Sequence, residues 1–536
     1  MSRAGNLAAW LLEGALAEGA GPRCALREGD RAWTYAELAA QVAKLSSALR
    51  ALKLQRGERV LIVMRDTMEA AAAILGVIHA GAVAVPVSEL STPDDVQEYV
   101  LHAAAVIAIV DSSHEQVVDA VRTETPDLRE VICVGKQLSS SLDHGKLIAD
   151  AQVAPHVPMG ESDICLLIYS AGSGPGELRA VPHCQRTIEA AYRSFAKDLL
   201  QLDAADRVLS VARLSTAYGL GAGLLLPLAA QAESLLFPAQ PHSKLLFDAV
   251  ESYQPTVLFA TPSVYAQLAH DAEAQPEERK LAKPLASLRH AVAGAEGMPE
   301  RLIPRIRTVL GTEVVVGYGL TEIFQFALAG RSNDPGARPG VCGKPLSGVQ
   351  VRLVDEDGDP VGVDEIGTLE LQCGSLFTGY WGGGNTGEVD LRADGWFTTR
   401  DRFMVDREGF YHHCGRVDDL FKVGGKWVQP VEVERALVAH EAVWEAAVIG
   451  ADDEEGLIKP LAFVVTNVGQ ESGSKLEDEL KEYVKNVLAP YKYPRWIEFV
   501  DALPRGPGGK LLRYKLRPQR RRRRAETGHN PKLPKE

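Results

Sequence analysis

The sequence predicts an α/β protein of several domains, and three observations support this fold class. The chain has 536 residues, too many for one core when a domain holds roughly 100–200 residues. Strand-like apolar runs alternate with helix-period segments from residue 59 onward, a pattern typical of parallel sheets with helices on both faces. After about residue 340, short strands follow one another between Asp and Gly turns, which predicts a small β-rich part.

The elements of the α/β part are predicted from uninterrupted apolar runs. Buried strands are predicted at residues 59–64, 83–87, 106–110, 131–134 and 256–260, and an Ala-rich helix at residues 68–80. The short strands of the β-rich part are predicted at residues 349–354, 367–372 and 410–413.

The end of the chain differs in composition from the rest. A compact α+β unit is predicted at residues 416–518. Residues 519–536 contain five consecutive arginines and two prolines, which predicts a disordered basic tail. The predicted domains are therefore residues 1–415, 416–518 and 519–536.

Composition and charge exclude several classes of function. The 71 acidic residues outnumber the 58 basic ones, and the formal net charge of −13 argues against nucleic acid as a partner. The longest uncharged stretch, residues 217–232, is shorter than the roughly 20 residues that span a bilayer. Glu13 and Glu18 interrupt the N-terminal apolar segment, so no secretory signal is predicted. We expect a cytoplasmic protein without membrane contact.

The seven cysteines form no Cys-x-x-Cys pair and lie mostly in apolar runs. We expect buried thiols of a reducing compartment, with a metal or disulfide role as the alternative.

A segment rich in small residues follows the predicted strand at residues 164–168. It contains hydroxyls at Ser170 and Ser173 and a cation at Arg179. Small residues let backbone N–H groups approach phosphate oxygens, so the segment is a candidate phosphate loop; the alternative is an ordinary turn. It is not a Walker loop, because no Gly-Lys-Ser/Thr follows.

A Thr–Glu pair lies where another predicted strand, residues 314–316, ends. The segment reads Gly-Tyr-Gly-Leu-Thr-Glu and contains Thr321 and Glu322. A hydroxyl and a carboxylate at a strand end are suited to a phosphate and Mg²⁺. The alternative is a capping threonine at a strand terminus.

Two further polar segments lie towards the C-terminus. Asp401 follows Trp-Phe-Thr-Thr-Arg, and a single carboxylate can accept hydrogen bonds from both hydroxyls of a ribose. Lys510 ends a Gly-rich segment and could deliver a point charge, although most surface lysines are only solvated.

The order and spacing of these segments resemble the adenylate-forming superfamily of acyl- and aryl-CoA synthetases, adenylation domains and luciferases. The resemblance covers about residues 20–518, and its most specific parts are residues 317–322, 415–425 and 504–510. It implies a large N-terminal domain of two doubly wound sheets with a small β-barrel-like subdomain, followed by a small mobile α+β C-terminal domain.

The resemblance also implies a reaction and a set of roles. In this family a carboxylate attacks the α-phosphate of MgATP, and a thiol then displaces AMP from the acyl-adenylate. The implied catalytic residues are Lys510 for adenylation, Lys422 for thioester formation, Thr321 for phosphate and Glu322 for the metal. The implied nucleotide- and cofactor-binding residues are Ser170, Gly172, Ser173, Gly174, Gly176, Arg179, Gly294, Ala295, Glu296, Tyr318, Gly319, Asp401, Arg416, Gly424 and Gly425. Asp418 is the implied hinge.

Departures from the family pattern concern the nucleotide site. The phosphate loop contains one extra residue, with Arg179 in place of a lysine and Ala171 in place of a serine. Arg400 replaces the glycine that usually precedes the aspartate. Arginine keeps the charge but not the compact geometry of lysine, so the contacts of this loop differ from the pattern.

The acid is predicted to be aromatic, because several segments resemble benzoate-type aryl-CoA ligases. These segments are residues 213–221, 254–262, 293–296 and 423–428. The implied pocket residues are Ala217, Tyr218, Gly219, Gly294, Gln325 and Phe326. Tyr218 and Phe326 offer flat apolar walls, and Gln325 could satisfy an amino or hydroxyl substituent on the ring. 2-Aminobenzoate (anthranilate) is the leading candidate, and benzoate and hydroxybenzoate are alternatives; Gln325 could instead be a structural amide.

Coenzyme A is the predicted thiol acceptor, and ATP and Mg²⁺ are the other predicted requirements. A freestanding enzyme that loads an aryl acid onto a carrier protein is the alternative. A non-catalytic adenylate-binding homologue is a remote one, because such a protein has no need of both Lys422 and Lys510. We expect a monomer or a homodimer.

Overall fold

The computed structural model describes most of the chain. It describes residues 5–137, 141–171, 178–273, 287–299, 301–337, 341–383, 391–392, 394–424, 426–453, 455–467, 469–505 and 511–516. These residues form two compact units, one of residues 5–171, 178–351 and 370–398 and one of residues 352–369 and 399–516.

The helices are mostly short. They are α1 Leu7–Ala17, α2 Tyr35–Ala51, α3 Met68–His79, α4 Pro93–Ala103, α5 Glu115–Val121, α6 His144–Asp150, α7 Gln185–Ala191, α8 Ala217–Leu220, α9 Leu226–Ala229, α10 Ser243–Tyr253, α11 Pro262–Glu273, α12 Leu302–Leu310, α13 Pro430–Val438 and α14 Ser474–Val487. A π-helical segment, Gly221–Leu225, joins α8 to α9.

The strands of the first half of the chain are β1 Cys24–Glu28, β2 Arg31–Thr34, β3 Arg59–Val63, β4 Val83–Val87, β5 Ala105–Asp111, β6 Glu130–Val134, β7 Leu142–Asp143, β8 Ile164–Ala171, β9 Leu178–Cys184, β10 Arg207–Ser210, β11 Glu233–Leu235 and β12 Val257–Ala260. Those of the second half are β13 His290–Ala293, β14 Val314–Gly319, β15 Phe326–Arg331, β16 Lys344–Pro345, β17 Gln350–Val354, β18 Ile366–Gln372, β19 Phe397–Val405, β20 Tyr411–Arg416, β21 Phe421–Val423, β22 Lys426–Val428, β23 Val443–Asp452, β24 Ile458–Thr466 and β25 Trp496–Phe499.

A seven-stranded sheet of the first unit has helices on both faces. Its order is β7-β6-β5-β3-β4-β8-β9, and its paired strands are parallel except at β8 and β9. Along β3, Val60 and Ile62 belong to a core cluster with α2 and α3, whereas Leu61 and Val63 belong to a cluster with α4 and α5. Because side chains of a strand alternate between faces, both faces are buried and the run is apolar throughout.

A nine-stranded sheet, also in the first unit, follows the same rule. Its order is β16-β15-β14-β13-β12-β10-β11-β1-β2, with a parallel centre and antiparallel pairs at both edges. In β12, Leu258 packs in a cluster with α10, α11 and α12, whereas Phe259 packs in a cluster with Phe195 and Leu226. The predicted doubly wound sheets are therefore confirmed.

The second unit contains the C-terminal α+β part. Strands β23, β24 and β25 form a sheet that packs against α13 and α14 through Val433, Leu480 and Val484, and β21 and β22 form a hairpin. Strands β17 to β20 form a four-stranded sheet, which accounts for the predicted β-rich part. The predicted domain boundary between residues 415 and 416 stays a prediction, and the basic tail at 519–536 lies outside the described residues.

Helices begin at polar caps that the sequence supplies. Thr67 accepts a hydrogen bond from the N–H of Ala70 at the start of α3. Thr92 and Asp95 form a capping box at α4, where Pro93 occupies the first turn. These contacts satisfy N–H groups that have no partner within the helix.

All seven cysteines lie in the described part of the chain and are free thiols, so no disulfide is present among them. Cys133, Cys165 and Cys184 are buried as expected, but the other four are partly exposed. Those four lie at a strand end, on an outer strand or in connections between strands. Among the described residues, no helix is both long enough and apolar enough to cross a bilayer.

Candidate active site

The candidate phosphate loop connects two antiparallel strands. Ser170 in β8 lies opposite Arg179 in β9, and the Ser170 hydroxyl donates a long hydrogen bond of 3.5 Å to the Arg179 carbonyl. The segment after the predicted strand at residues 164–168 was predicted as a loop, and this is wrong in part, because residues 169–171 and 178–183 pair as strands. Four predicted residues, Gly172, Ser173, Gly174 and Gly176, lie outside the described part of the chain.

The Thr–Glu pair lies in a tight reversal between β14 and β15. Thr321 and Glu322 belong to a 3-10 turn, Thr321–Ile323, and the next residue, Phe324, has φ +66° and ψ −32°. A positive φ is rare for a bulky residue and marks local strain, which functional sites often contain. Phe324 is fully buried, so its packing holds this strained turn in place.

Tyr380 joins the Thr–Glu turn to the phosphate hairpin. Its hydroxyl donates a hydrogen bond to Glu322 Oε1 at 2.8 Å, and the guanidinium carbon of Arg179 lies 5.7 Å from its ring centroid. The N–H of Phe377 donates to the Glu322 carbonyl at 2.8 Å. The structure therefore brings Arg179 and Glu322 to one aromatic side chain, which the sequence did not identify.

His183 lies beneath the strained turn. Its ring is fully buried and meets the ring of Phe324 edge-on, with 5.2 Å between centroids. Burial lowers the pKa of His183 to about 3, so the imidazole is neutral at physiological pH.

The segment predicted to hold the aryl ring begins a helix. Thr216 caps α8 by accepting a hydrogen bond from the N–H of Gly219 at 3.0 Å. The hydroxyl of Tyr218 donates to the carbonyls of Ala260 and Val292 at 3.3 and 3.2 Å, which fixes the ring across the ends of β12 and β13. Ala217 is buried beside it.

Gln325 is the most informative side chain of this group. Only 3% of Gln325 is exposed. Its Nε2 donates weakly to the carbonyls of Ala217 and Tyr218, at 3.5 and 3.4 Å. Its Oε1 is buried and has no hydrogen-bond partner within the described residues. A buried acceptor without a donor is destabilising, so this oxygen is a candidate contact for a ligand.

Glycines make room for two side chains of the site. A Cβ at Gly221 would lie 1.8 Å from Gln325 Nε2, so glycine is required where the amide is seated. Cβ atoms at Gly294 and Gly317 would lie 2.4 and 2.3 Å from the ring of Phe326. Phe326 is 5% exposed and also meets Phe195 edge-on, so it fills the space above these glycines.

The predicted adenine segment follows β13. Ala295 has φ +69°, and Glu296 accepts hydrogen bonds from the hydroxyl and the N–H of Ser263, at 2.5 and 3.3 Å. Glu296 thus lies at the first turn of α11, where a carboxylate is favoured. Gly294 follows β13, and Tyr318 and Gly319 end β14, so these residues share the carboxyl edge of neighbouring parallel strands.

In the second unit, the two predicted ribose-site residues lie side by side. Asp401 and Arg416 are directly paired across β19 and β20. Asp401 is 5% exposed, and its Oδ1 lies 3.1 Å from His413 Nε2. His412 instead contacts Asp406 at 2.9 Å. Strand alternation places His412 and His413 on opposite faces of β20, but no sequence signal identifies Asp401 as the partner of His413.

The predicted hinge lies in a short turn, Val417–Asp419, and the side chain of Asp418 lies outside the described part. Arg513 contacts the neighbouring Asp419 at 3.2 Å and Glu434 at 2.7 Å. Desolvation and the attraction of the two carboxylates act in opposite directions on Arg513, and its pKa is raised.

The predicted thioester lysine is on the surface of the second unit. Lys422 is exposed, and its Nζ lies 4.4 Å from the ring centroid of Trp427, its cross-strand partner. Gly424 has φ +57° in the turn between β21 and β22. Gly425 and Lys510 lie outside the described residues, so their predicted roles stay predictions.

Two family models match the chain. The AMP-binding enzyme family matches residues 15–381, and the AMP-binding enzyme C-terminal domain matches residues 432–510. The first match covers more than half of the sequence. The chain therefore belongs to the AMP-binding enzyme family.

Two relatives of the chain are named as aryl-CoA ligases. The chain is 35% identical to the benzoate–CoA ligase of Thauera aromatica, over 94% of both chains. It is also 35% identical to the 4-hydroxybenzoate–CoA/benzoate–CoA ligase of Rhodopseudomonas palustris, over 96% of this chain and 94% of that one.

A solved structure has the same fold. It is an anthranilate CoA ligase in complex with anthranoyl-AMP, which superposes with a TM-score of 0.89 at 30% identity and covers 96% of this chain and 97% of that chain. The comparisons confirm the predicted family and the predicted fold. The protein is an acid–thiol ligase of the aryl-CoA ligase type.

Proposed function

We propose that this enzyme converts an aromatic carboxylate, anthranilate in preference to benzoate, into its CoA thioester. A carboxylate oxygen attacks the α-phosphorus of ATP, and the bond to pyrophosphate breaks. The thiol sulfur of CoA then attacks the acyl carbon, the bond to AMP breaks, and the thiol proton is released. The buried, unpartnered Oε1 of Gln325 is the observation that supports this choice of acid.

The orientation of the Gln325 amide defines what it can bind. Its Nε2 faces the carbonyls of Ala217 and Tyr218, and a flipped amide would set Oε1 against two acceptors. Oε1 is therefore the end available to a ligand, and it requires a donor. The amino group of anthranilate has two N–H bonds, so one can bond the carboxylate of the acid and the other Oε1. Benzoate has only a C–H group at this position of the ring, so it cannot donate a hydrogen bond to Oε1.

The described residues also fit the Mg²⁺ that the resemblance implies. Glu322 Oε1 is held by Tyr380, and Oε2 makes no hydrogen bond or ion pair within the described part of the chain. Magnesium is usually bound by one or two carboxylates together with substrate phosphates, so Glu322 would hold it beside the Thr321 hydroxyl. The bound ion would neutralise charge on the phosphate oxygens.

The remaining roles rest on the resemblance and are proposed with it. Ser170 and Arg179 contact the distal phosphates from the β8–β9 hairpin, and Asp401 with Arg416 binds the ribose. Lys510 stabilises the charge on the α-phosphate during adenylation, and Lys422 serves the thioester step after rotation about Asp418. Each role is electrostatic or positional, and no residue forms a covalent intermediate.

The test of the proposed acid compares kcat/KM for anthranilate and benzoate in an AMP-release assay with CoA present. We expect Gln325→Ala to lower kcat/KM for anthranilate by about 5- to 150-fold, equivalent to the ~1–3 kcal/mol of an unpaired buried polar group. Benzoate should lose much less, because it makes no hydrogen bond there. Equal losses of kcat/KM for both acids would show that Gln325 does not select anthranilate over benzoate.

Gly221→Ala provides a second variant that leaves Gln325 in the sequence. Its methyl group would occupy the position of Nε2, so the amide must move and the preference for anthranilate should fall. Gly14→Ala is the matched control, because a Cβ there meets nothing within 4 Å. A preference unchanged in Gly221→Ala would argue that the seating of the amide is irrelevant to the choice of acid.

Benzoate or a hydroxybenzoate is the second candidate acid. The observation that favours it is the 35% identity to ligases named for these acids. A pocket that admits anthranilate has room for the smaller benzoate, so some activity with benzoate is expected in either case. A wild-type kcat/KM for benzoate above that for anthranilate would replace the first candidate by the second.

The acceptor is tested in the same assay. We propose CoA, and a carrier-protein thiol is the alternative. Parallel reactions with CoA and with phosphopantetheinylated aryl carrier proteins separate the two. Thioester formation on a carrier protein, but not on CoA, would contradict the proposal.

A further inference from the structure

Three ligand-type side chains meet away from the residues described above. Glu13 in α1, His79 at the end of α3 and His156 in the connection before β8 have one ligand atom each within 4.8 Å of the others. His79 is 4% exposed, whereas Glu13 is exposed and His156 is partly buried. We propose that these residues form a binding site for a divalent transition metal of the zinc type.

The distances suit tetrahedral coordination. Glu13 Oε1 lies 3.5 Å from His79 Nε2 and 3.0 Å from His156 Nδ1, and the ligand atoms of the two histidines lie within 4.8 Å of each other. Ligands about 2.0–2.1 Å from a tetrahedral zinc are separated by ~3.3 Å, so small side-chain shifts suffice. Two imidazoles and one carboxylate are the ligand set of open zinc sites, and a solvent molecule would complete it.

The backbone around the ligands is already fixed. The N–H of Val157 donates to the carbonyl of His79 at 2.9 Å. The side-chain amide of Asn6, which is fully buried, donates to the carbonyls of Ile78 and Val157 at 2.5 and 3.1 Å. These bonds connect the segments that carry His79 and His156, so little ordering remains when an ion binds.

The chemistry selects the class of metal. Imidazole suits zinc, copper and nickel, whereas magnesium prefers oxygen ligands at octahedral geometry. The site is therefore distinct in kind from the magnesium site proposed at Glu322.

Two features make the proposed ion exchangeable rather than permanently bound. The second ring nitrogen of a ligating histidine usually donates a hydrogen bond that orients the ring. His79 Nδ1 is buried and has no hydrogen-bond partner among the described residues. Arg50, whose guanidinium donates to the Pro155 carbonyl at 3.4 Å, adds positive charge nearby. We expect zinc to stabilise the first unit when present, without being required for folding.

The test uses the full chain, stripped of metal with a chelator and titrated with ZnCl₂. The exposed ligands are changed by Glu13→Gln and His156→Asn, which spare the buried His79. Wild type should bind one more zinc equivalent than either variant, and at least about tenfold more tightly at that site. Its thermal midpoint should rise with zinc concentration, and the variants should show little of this rise.

His242→Asn is the matched control, because His242 is exposed and caps α10, and asparagine is also a good cap. The cysteines and Glu322 are present in every variant, so their binding of zinc cancels in the comparison. Titration with Co²⁺ adds a spectroscopic readout, since tetrahedral cobalt absorbs strongly in the visible range. Equal zinc uptake and equal thermal shifts in wild type, Glu13→Gln and His156→Asn would overturn the proposal, as would a loss of the same size in His242→Asn.

Discussion

Tyr380 and Glu322 are joined by a hydrogen bond of 2.8 Å, and the same tyrosine ring lies against Arg179. An aromatic residue outside every recognised motif therefore orients the proposed metal ligand and the proposed phosphate-binding cation together. Such supporting contacts commonly affect a metal site almost as much as the ligands do.

Tyr380→Phe removes the hydroxyl and keeps the ring. We expect the Mg²⁺ concentration for half-maximal activity to rise about 10-fold, because the carboxylate of Glu322 loses its orientation. The KM for the aromatic acid should stay nearly constant. Tyr253→Phe, on α10, is the control, and an unchanged Mg²⁺ dependence in Tyr380→Phe would show that the hydrogen bond has no role in metal binding.

His413→Ala is expected to weaken ATP binding through Asp401. The histidine contacts Asp401 at 3.1 Å, and its loss leaves a buried carboxylate with less support. The KM for ATP should rise about 5- to 10-fold, a cost of roughly 1–1.4 kcal/mol. His412→Ala is the matched control, because that histidine contacts Asp406 instead. Equal effects on KM in the two variants would contradict this role.

The stability of the first unit should depend on pH through His183. Its pKa is about 3 in the folded protein and roughly 6.5 when unfolded, so below about pH 6.5 only the unfolded state takes up the proton. The contribution of His183 to the free energy of unfolding is fully present above about pH 6.5. It falls as the pH decreases, by about 2 kcal/mol at pH 5.

Urea unfolding of wild type and His183→Phe at several pH values between 5 and 7.5 measures this difference. The variant should lack this part of the acid dependence, whatever its stability at neutral pH. Other buried groups, including Asp66 and His290, are shared by both proteins and cancel. Parallel curves for the two proteins would show that the histidine titrates normally in the folded state.

Much of the fold could be predicted from the sequence, because buried parallel strands are apolar along their whole length. The strand predicted at residues 83–87 is β4, and the helix predicted at residues 68–80 is α3, which ends one residue earlier. Strands β9 and β15 were not predicted. β9 is the antiparallel edge strand of the seven-stranded sheet, and β15 lies antiparallel between β14 and the edge strand β16 of the nine-stranded sheet. Both contain polar or small residues that do not mark a strand.

Residues of the site could be predicted only where they belong to a recognisable sequence motif. Thr321, Glu322 and Asp401 belong to recognisable segments, and the position of Thr321 and Glu322 after the end of a strand follows from the pattern. Tyr380 is 58 residues from Glu322, and His413 is 12 residues from Asp401. Contacts across such separations depend on tertiary packing, which local sequence does not encode. The buried acceptor of Gln325 likewise became visible only with its neighbours in place.

Acid-dependent exchange of pyrophosphate into ATP tests the central claim most directly, since it reports adenylation without the thiol. Wild type should exchange with anthranilate and with benzoate, but not without an acid. Lys510→Ala should lose this exchange, whereas Lys422→Ala should keep it and fail only when CoA is added. No exchange by wild type with any aromatic acid, or an equal loss in both lysine variants, would contradict the account.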